Sequence, residues 1–207
     1  VARGYTNLGG VLDLLGQFDE AKVAYQSSIA REPTSQAYSN LGTLQYFLGQ
    51  FADSARSFER AVALTPANYL LWANLGDAYR WAPGQQSKAP AAYARAIALG
   101  DQELTVSPSE AQIHSVLALC LAKSGRGLEA RAHLDQARRL AAENADIMYA
   151  AAVVAVLSDA RNAATAPRLY AIDAGYRTAH IAREPEFSRF RALPEFQKLI
   201  ETPPRRS

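Results

Sequence analysis

One cysteine, one methionine and two tryptophans are all that the 207 residues contain of those types. A lone Cys120 cannot close an intramolecular disulfide, so the fold must hold without a covalent staple, and the redox compartment is left open. Long hydrophobic runs are missing as well: the longest, Ile147 to Leu157, is well short of the roughly 18 residues needed to span a bilayer. No signal-peptide pattern is present either. The expectation is a soluble chain, most simply cytoplasmic, that inserts in no membrane. Charge of one sign is lacking too. Lys and Arg number 22 against 20 Asp and Glu, a net charge of +2 with no basic patch, which removes the footprint that nucleic acid requires. A chain that is 49% hydrophobic and 20% charged is neither disordered nor collagen-like. Its length allows one or two domains. It begins at Val1 rather than Met, inside a helical pattern, so a piece of a longer protein is expected.

Constellations that carry chemistry are equally scarce. His114, His133 and His180 are dispersed, and none has a second His or Cys three or four residues away, the spacing a helical zinc site uses. Cys120 lies in an apolar helical stretch with no base nearby and reads as core. Leu8-Gly9-Gly10 and Pro83-Gly84 neither follow a strand nor precede Gly-Lys-Ser/Thr, so no phosphate cradle is encoded. Paired carboxylates such as Asp19-Glu20 fall in solvated turns, whereas a general acid needs burial. No catalytic residue, metal site or cofactor is implied, and a non-enzymatic protein is expected.

What is abundant is self-similarity. Tyr5-Thr6-Asn7-Leu8-Gly9 returns 33 residues later as Tyr38-Ser39-Asn40-Leu41-Gly42, and 34 residues after that as Trp72-Ala73-Asn74-Leu75-Gly76. Leu15-Gly16-Gln17-Phe18 matches Leu48-Gly49-Gln50-Phe51, and Pro33 matches Pro66. Each period carries a second run at helical spacing: Ala21, Tyr25 and Ile29, then Ala55, Phe58 and Val62, then Ala89, Tyr93 and Ile97. Mid-helix glycine costs about 1 kcal/mol, so its recurrence implies that a second helix must approach closely at Gly9, Gly42 and Gly76. Gly16 and Gly49 suit a left-handed helix end, and the two prolines stop the second helix.

This pattern resembles the tetratricopeptide repeat, with its aromatic-x2-Leu-Gly, Ala-x3-aromatic and closing Pro about every 34 residues. The resemblance implies an all-α, right-handed superhelical solenoid of antiparallel helix pairs. A fourth copy is in phase through His114, Leu117, Ala118, Gly125, Ala130, Leu134 and Ala137, with alanine for the packing glycine. The third copy is longer, and its second helix is expected to run through Leu99 towards Leu104. A fifth copy uses Met148, Ala151, Ala152, Ala164 and Ala171; it has Asp159 for the turn glycine, and Pro167 should delay or break its second helix. Beyond Gly175-Tyr176, two short helices opened by Pro185 and Pro194 should cover the last repeat. The expected division is a single unit over 1–202, with repeats at 2–34, 35–68, 69–110, 111–144 and 145–177, a cap at 178–202 and a tail at 203–207. The segment Leu75 to Gly84 and the Pro-Glu-Phe pattern also resemble C-terminal repeat regions of bacterial multidomain regulators. That likeness implies a sensory, recruiting or dimerising region behind a serine/threonine kinase, nucleotide cyclase or winged-helix DNA-binding domain.

In a stack of helix pairs the first helices line a concave groove. Helical spacing selects Thr6, Gly10, Asp13 and Leu14, then Ser39, Thr43, Tyr46 and Phe47, then Ala73, Asp77, Arg80 and Trp81 as its floor. Tyr46, Phe47 and Trp81 are the expected anchors for a peptide or a partner helix, with Asp77 and Arg80 beside them. Aromatics at the end of a first helix also pack against the neighbouring repeat, which is the competing use of Tyr46 and Phe47. The resemblance further implies that Asn7, Asn40 and Asn74 can bond a ligand backbone, while a bond within the repeat explains them equally well. Capture of a C-terminal carboxylate is disfavoured, since Thr6, Gly10, Ser39, Thr43 and Ala73 occupy the matching positions and only Arg3 is basic. The expected partner is a protein or peptide, not nucleic acid, and a homodimer remains open.

Overall fold

The computed structural model describes residues 1–158 and 178–201. Among the described residues every regular element is helical: α1 (Ala2–Leu14), α2 (Phe18–Arg31), α3 (Ser35–Phe47), α4 (Phe51–Leu64), α5 (Tyr69–Trp81), the 3-10 helix η1 (Gln86–Lys88), α6 (Ala89–Val106), α7 (Ala111–Lys123), α8 (Gly127–Leu140), α9 (Ala145–Ser158), α10 (Thr178–Ile181), the 3-10 helix η2 (Pro185–Phe190) and α11 (Pro194–Glu201). The expectations placed on Asp159, Ala164, Pro167, Ala171, Gly175, Tyr176 and the tail lie outside the described residues. The chain divides into two compact units, Val1–Ala96 and Ile97–Ser207, with the division inside α6.

In the first unit the helix ends follow local chemistry. Thr34 Oγ1 accepts the backbone N–H of Ala37 at 3.2 Å and Asn68 Oδ1 that of Leu70 at 2.9 Å, each satisfying an N-terminal donor that the helix itself leaves open. Gly49 adopts φ +74° after α3, and the Gln50 N–H then reaches back to the Gln45 carbonyl at 2.8 Å. A side chain there would be strained, so the chain reverses where glycine stands. α2 ends at Arg31 and α4 at Leu64, each two residues before its proline.

Within each helix pair the second helix brings an aromatic ring onto the glycine of the first. A Cβ built on Gly9 would lie 2.5 Å from Tyr25 Cε1, one on Gly42 3.0 Å from Phe58 Cε2, and one on Gly76 2.6 Å from Tyr93 Cδ1. Serines from the second helices add buried polar ties: Ser28 Oγ donates to the Ala2 carbonyl at 2.9 Å, Ser54 Oγ to the Gly42 carbonyl at 2.7 Å, and Ser57 Oγ to Gln45 Oε1 at 2.6 Å. Successive pairs then join through apolar ridges, as where Ala21 and Tyr25 of α2 meet Leu41 and Leu44 of α3.

In the second unit α7 and α8 form an antiparallel pair about Gly125, whose φ is +78°. Leu117 lies against Gly100 of α6, and Ala118, standing for the packing glycine, is fully buried. The long third period is accounted for by α6, which continues to Val106. Ile181, Phe187, Phe190 and Phe196 from the C-terminal elements pack with Ala152, Val153 and Val156 of α9 in one apolar cluster. Pro185 opens a 3-10 helix and Pro194 an α-helix. Cys120 is buried in α7.

Candidate functional site

The first helices of the first unit, α1, α3 and α5, touch one another in succession and so form a continuous face. Its open stripe runs through Asn7, Gly10 and Leu14 on α1, Asn40, Thr43 and Phe47 on α3, and Asn74, Asp77 and Trp81 on α5, all exposed or half-buried. The spacing is i, i+3, i+7, a single helical stripe repeated at the period of the sequence.

This geometry corrects the expected floor. Asp13 and Tyr46 are buried, as is Ala73, and cannot be displayed to a ligand. Thr6 is turned towards α2, where its hydroxyl lies 2.7 Å from Ser28 Oγ. Ser39 is half-buried one position from Asn40. The physical reason is that the helix side facing the second helix is itself polar, lined by the serines of α2 and α4, so polarity does not separate the two sides of a first helix.

The aromatic anchors do assemble. Tyr46 meets Phe47 edge-on with ring centroids 5.4 Å apart, and meets Phe51 at 5.5 Å; Phe51 in turn lies 6.2 Å from Trp81. Phe47, Phe51 and Trp81 remain half-buried, while Tyr46 is the buried base on which Phe47 and Phe51 rest. The Arg80 guanidinium lies 5.8 Å from the Trp81 ring centroid, within cation–π range. Phe51 was not among the expected site residues, although its place after Leu48-Gly49-Gln50 repeats that of Phe18 and marks it as the first residue of a second helix.

Polar groups around the cluster are held in place. Asp77 accepts the Tyr93 hydroxyl at 2.7 Å, fixing its carboxylate on the open stripe. Asn40 Oδ1 accepts Gln36 Nε2 at 2.7 Å, a bond along its own helix. On the flank, the Tyr79 hydroxyl donates to Glu59 at 2.7 Å, and burial first and the Glu59 carboxylate second push the phenol well above its ordinary pKa. Trp72 Nε1 donates to the Pro66 carbonyl at 2.9 Å, whereas Trp81 Nε1 is buried with no acceptor among the described residues. An orphaned buried donor costs about 1–3 kcal/mol. Trp81→Phe removes that donor and keeps a ring against Phe51, so its melting temperature by circular dichroism should equal or exceed that of wild type. A drop of more than a few degrees would show that the indole N–H has a partner after all.

The second unit holds two further groups of titratable side chains. His114 Nδ1 and His133 Nδ1 are 3.0 Å apart, and His114 Nε2 is 3.2 Å from the Pro108 carbonyl. A carbonyl only accepts, so Nε2 of neutral His114 carries the proton and its Nδ1 accepts from His133 Nδ1–H. Burial, then the neighbouring His114, lowers the His133 pKa. Glu184 and Glu186 are both buried, and the Tyr149 hydroxyl donates to Glu184 Oε2 at 2.5 Å. Among the described residues no group of three or more His, Cys, Asp or Glu is placed to hold a metal, and no described helix is long and apolar enough to cross a membrane.

Residues 2–35 and 39–103 each match a family model described as a tetratricopeptide repeat. Among solved structures the chain is similar to TTC0263, a thermophilic TPR protein in Thermus thermophilus, at 21% identity over 97% of this chain and 99% of that one, with a TM-score of 0.62. It is also similar to a chain of the APC/C hetero-tetramer Cut9-Hcn1, at 20% identity over 97% of this chain and 36% of that one, with a TM-score of 0.55. At these identities the likeness is one of fold. No curated protein matches the chain.

Proposed function

Because the chain contains tetratricopeptide repeats, an all-α fold that serves as a protein–protein interaction scaffold, we propose that the face of α1, α3 and α5 binds a peptide or a partner helix without chemistry of its own. The observation that carries this reading is the half-buried row of Phe47, Phe51 and Trp81 beside Asn40, Thr43, Asn74 and Asp77. Aromatic rings held by their neighbours present apolar area with little rotamer entropy left to lose, which is what an interface anchor needs. The carboxamides and the Asp77 carboxylate supply orienting bonds around an apolar centre. Asn7 and Leu14 would extend the site along α1, and Arg80 would border it. Thr6, Asp13 and Tyr46 belong to its support, and Ser39, half-buried like Asn40, borders it.

The test is selection of peptides from a displayed library on the immobilised chain, followed by titration of the selected peptides against Phe47→Ala/Trp81→Ala. Affinity should fall at least tenfold, the equivalent of about 1.4 kcal/mol, with helicity unchanged. Equal binding by a folded double variant would remove the aromatic row from the site.

A further inference from the structure

The two histidines of the second unit make a polar joint between the helices of a pair. Their ring centroids are 5.2 Å apart and their Nδ1 atoms 3.0 Å, so the two nitrogens face each other along the line between the rings. That gap holds one hydrogen and no metal ion, which would need about 2.0 Å to each nitrogen. With Nε2–H of His114 on the Pro108 carbonyl, His114 Nδ1 is the acceptor and His133 Nδ1–H the donor, and the bond ties α8 to α7 and to the turn before it. Both rings are half-buried where α7 packs on α8. A first added proton goes to Nε2 of His133, and the Nδ1–H···Nδ1 bond is kept as a charge-assisted one. A second proton has only His114 Nδ1 to go to. It removes the accepting lone pair and leaves two positive rings facing across 3.0 Å.

We propose that the His114–His133 pair is an acid-sensitive latch: it fastens α8 to α7 while it carries no more than one added proton, and a second proton parts the two helices and opens the fourth helix pair. The surrounding charges suit one added proton. Asp101 of α6 and Glu129, one turn before His133 on α8, favour a charged His133, and Arg126 at the start of α8 opposes it. Glu129 is itself engaged by Arg126 at 2.5 Å. Glu110 before α7, Arg131 and Asp135 on α8 and Asp146 on α9 are exposed to solvent. Burial first, and His114 second, hold the His133 pKa below the ordinary histidine value. A base whose pKa is lower folded than unfolded binds fewer protons in the folded state, so its stabilisation is complete above about pH 6.5 and is lost as pH falls through the folded value. Glu184 acts in the opposite sense, since a raised carboxyl pKa favours the folded state in acid.

Two measurements on the full 207-residue chain test the latch. The first is amide hydrogen exchange, corrected for its intrinsic pH dependence and read in α7 and α8 relative to α3 and α4. From about pH 7.5 to about pH 5 the protection of α7 and α8 should fall about tenfold; one wholly excluded proton, about 1.5 pH units below the ordinary histidine pKa, sets a ceiling of about thirtyfold. In His114→Gln/His133→Gln the carboxamides do not titrate, and that loss should largely vanish. The second is an imidazole NMR titration of the wild type, which needs no variant to fold. One histidine of the pair should take up its proton near the ordinary value and the other only well below it, the two steps belonging to the pair. Independent titration of both rings near the ordinary value would overturn the latch, and so would a folded glutamine variant that loses protection in acid as wild type does.

Discussion

Gly76→Ala is expected to destabilise the first unit by about 2 kcal/mol, which for a unit of this size lowers the melting temperature by about 10 °C. In an exposed helix the same change would be favourable by about 1 kcal/mol, since alanine restricts the unfolded chain and glycine does not. The sign reverses here because the new methyl would sit 2.6 Å from both Cδ1 and Cε1 of Tyr93. That ring cannot step aside. It is almost wholly buried, and its hydroxyl is tied to Asp77 one residue from the glycine. Relief has to come from moving α6 away from α5, which opens contacts along the whole pair. Gly42→Ala is the internal control: the Cβ would meet Phe58 at 3.0 Å rather than 2.6 Å, against a ring with no hydroxyl tether, so propensity and crowding should nearly cancel. Urea melts of both variants check the difference. Equal stabilities for the two would mean that the glycines serve something other than the approach of the second helix.

These glycines were readable in the sequence because their requirement is local and recurs in phase: a residue with no Cβ, opposite an aromatic one helix later. The turn glycines and the extended α6 were readable for the same reason. The open face was harder. Thr6 and Ser39 are polar and periodic, yet Thr6 spends its hydroxyl on Ser28 of α2, and in the next helix pair Gln45 of α3 receives Ser57 of α4. Polarity marks both the solvent side and the serine-lined inner side, so Thr6 falls on the inner one while Asn7, Asn40 and Asn74, which the resemblance had put forward, lie on the open stripe. Tyr46 and Phe47 are neighbours in sequence with opposite fates, because a step of one residue rotates a helical side chain by about 100°. The pairing of His114 with His133, dispersed in the sequence, was not legible there. His114 and His133 are too far apart in sequence for any helical spacing rule, and only the antiparallel packing of α7 on α8 brings their Nδ1 atoms together. Glu184 and Glu186 were hidden too: the prolines mark two short capping helices, but nothing in the pattern says that both carboxyls are buried along with Phe187.

That burial makes the C-terminal elements sensitive to base. Desolvation is the main cause that raises the Glu184 pKa well above the carboxylate range, and the Glu186 carboxyl beside it raises it further. Lys123 and the Tyr149 hydroxyl favour the charged form but do not outweigh them. Arg191 Nη2 faces the Glu184 backbone carbonyl at 3.1 Å, and His180 is buried on the preceding helix. A carboxyl whose pKa is higher folded than unfolded binds more protons in the folded state, so stability declines as pH rises. The contribution is complete below the ordinary glutamate pKa and is lost as pH climbs through the raised folded value. Glu184→Gln keeps the shape and an oxygen for Tyr149 but cannot ionise, and the melting temperature of the second unit should then depend less on pH while matching wild type in acid. Glu184→Ala should behave differently, costing about 1–3 kcal/mol even in acid because the buried bond from the Tyr149 hydroxyl to Glu184 is lost. Tyr149→Phe in that background should recover part of the loss, since it removes the hydroxyl whose bond to Glu184 the first change broke. Melting curves of the four proteins from about pH 4.5 to 8.5, a range that starts near the ordinary glutamate pKa, separate the two effects. A pH dependence that persists unchanged in Glu184→Gln would assign it to another group, and an alanine variant as stable as wild type in acid would show that Tyr149 does not depend on this carboxyl.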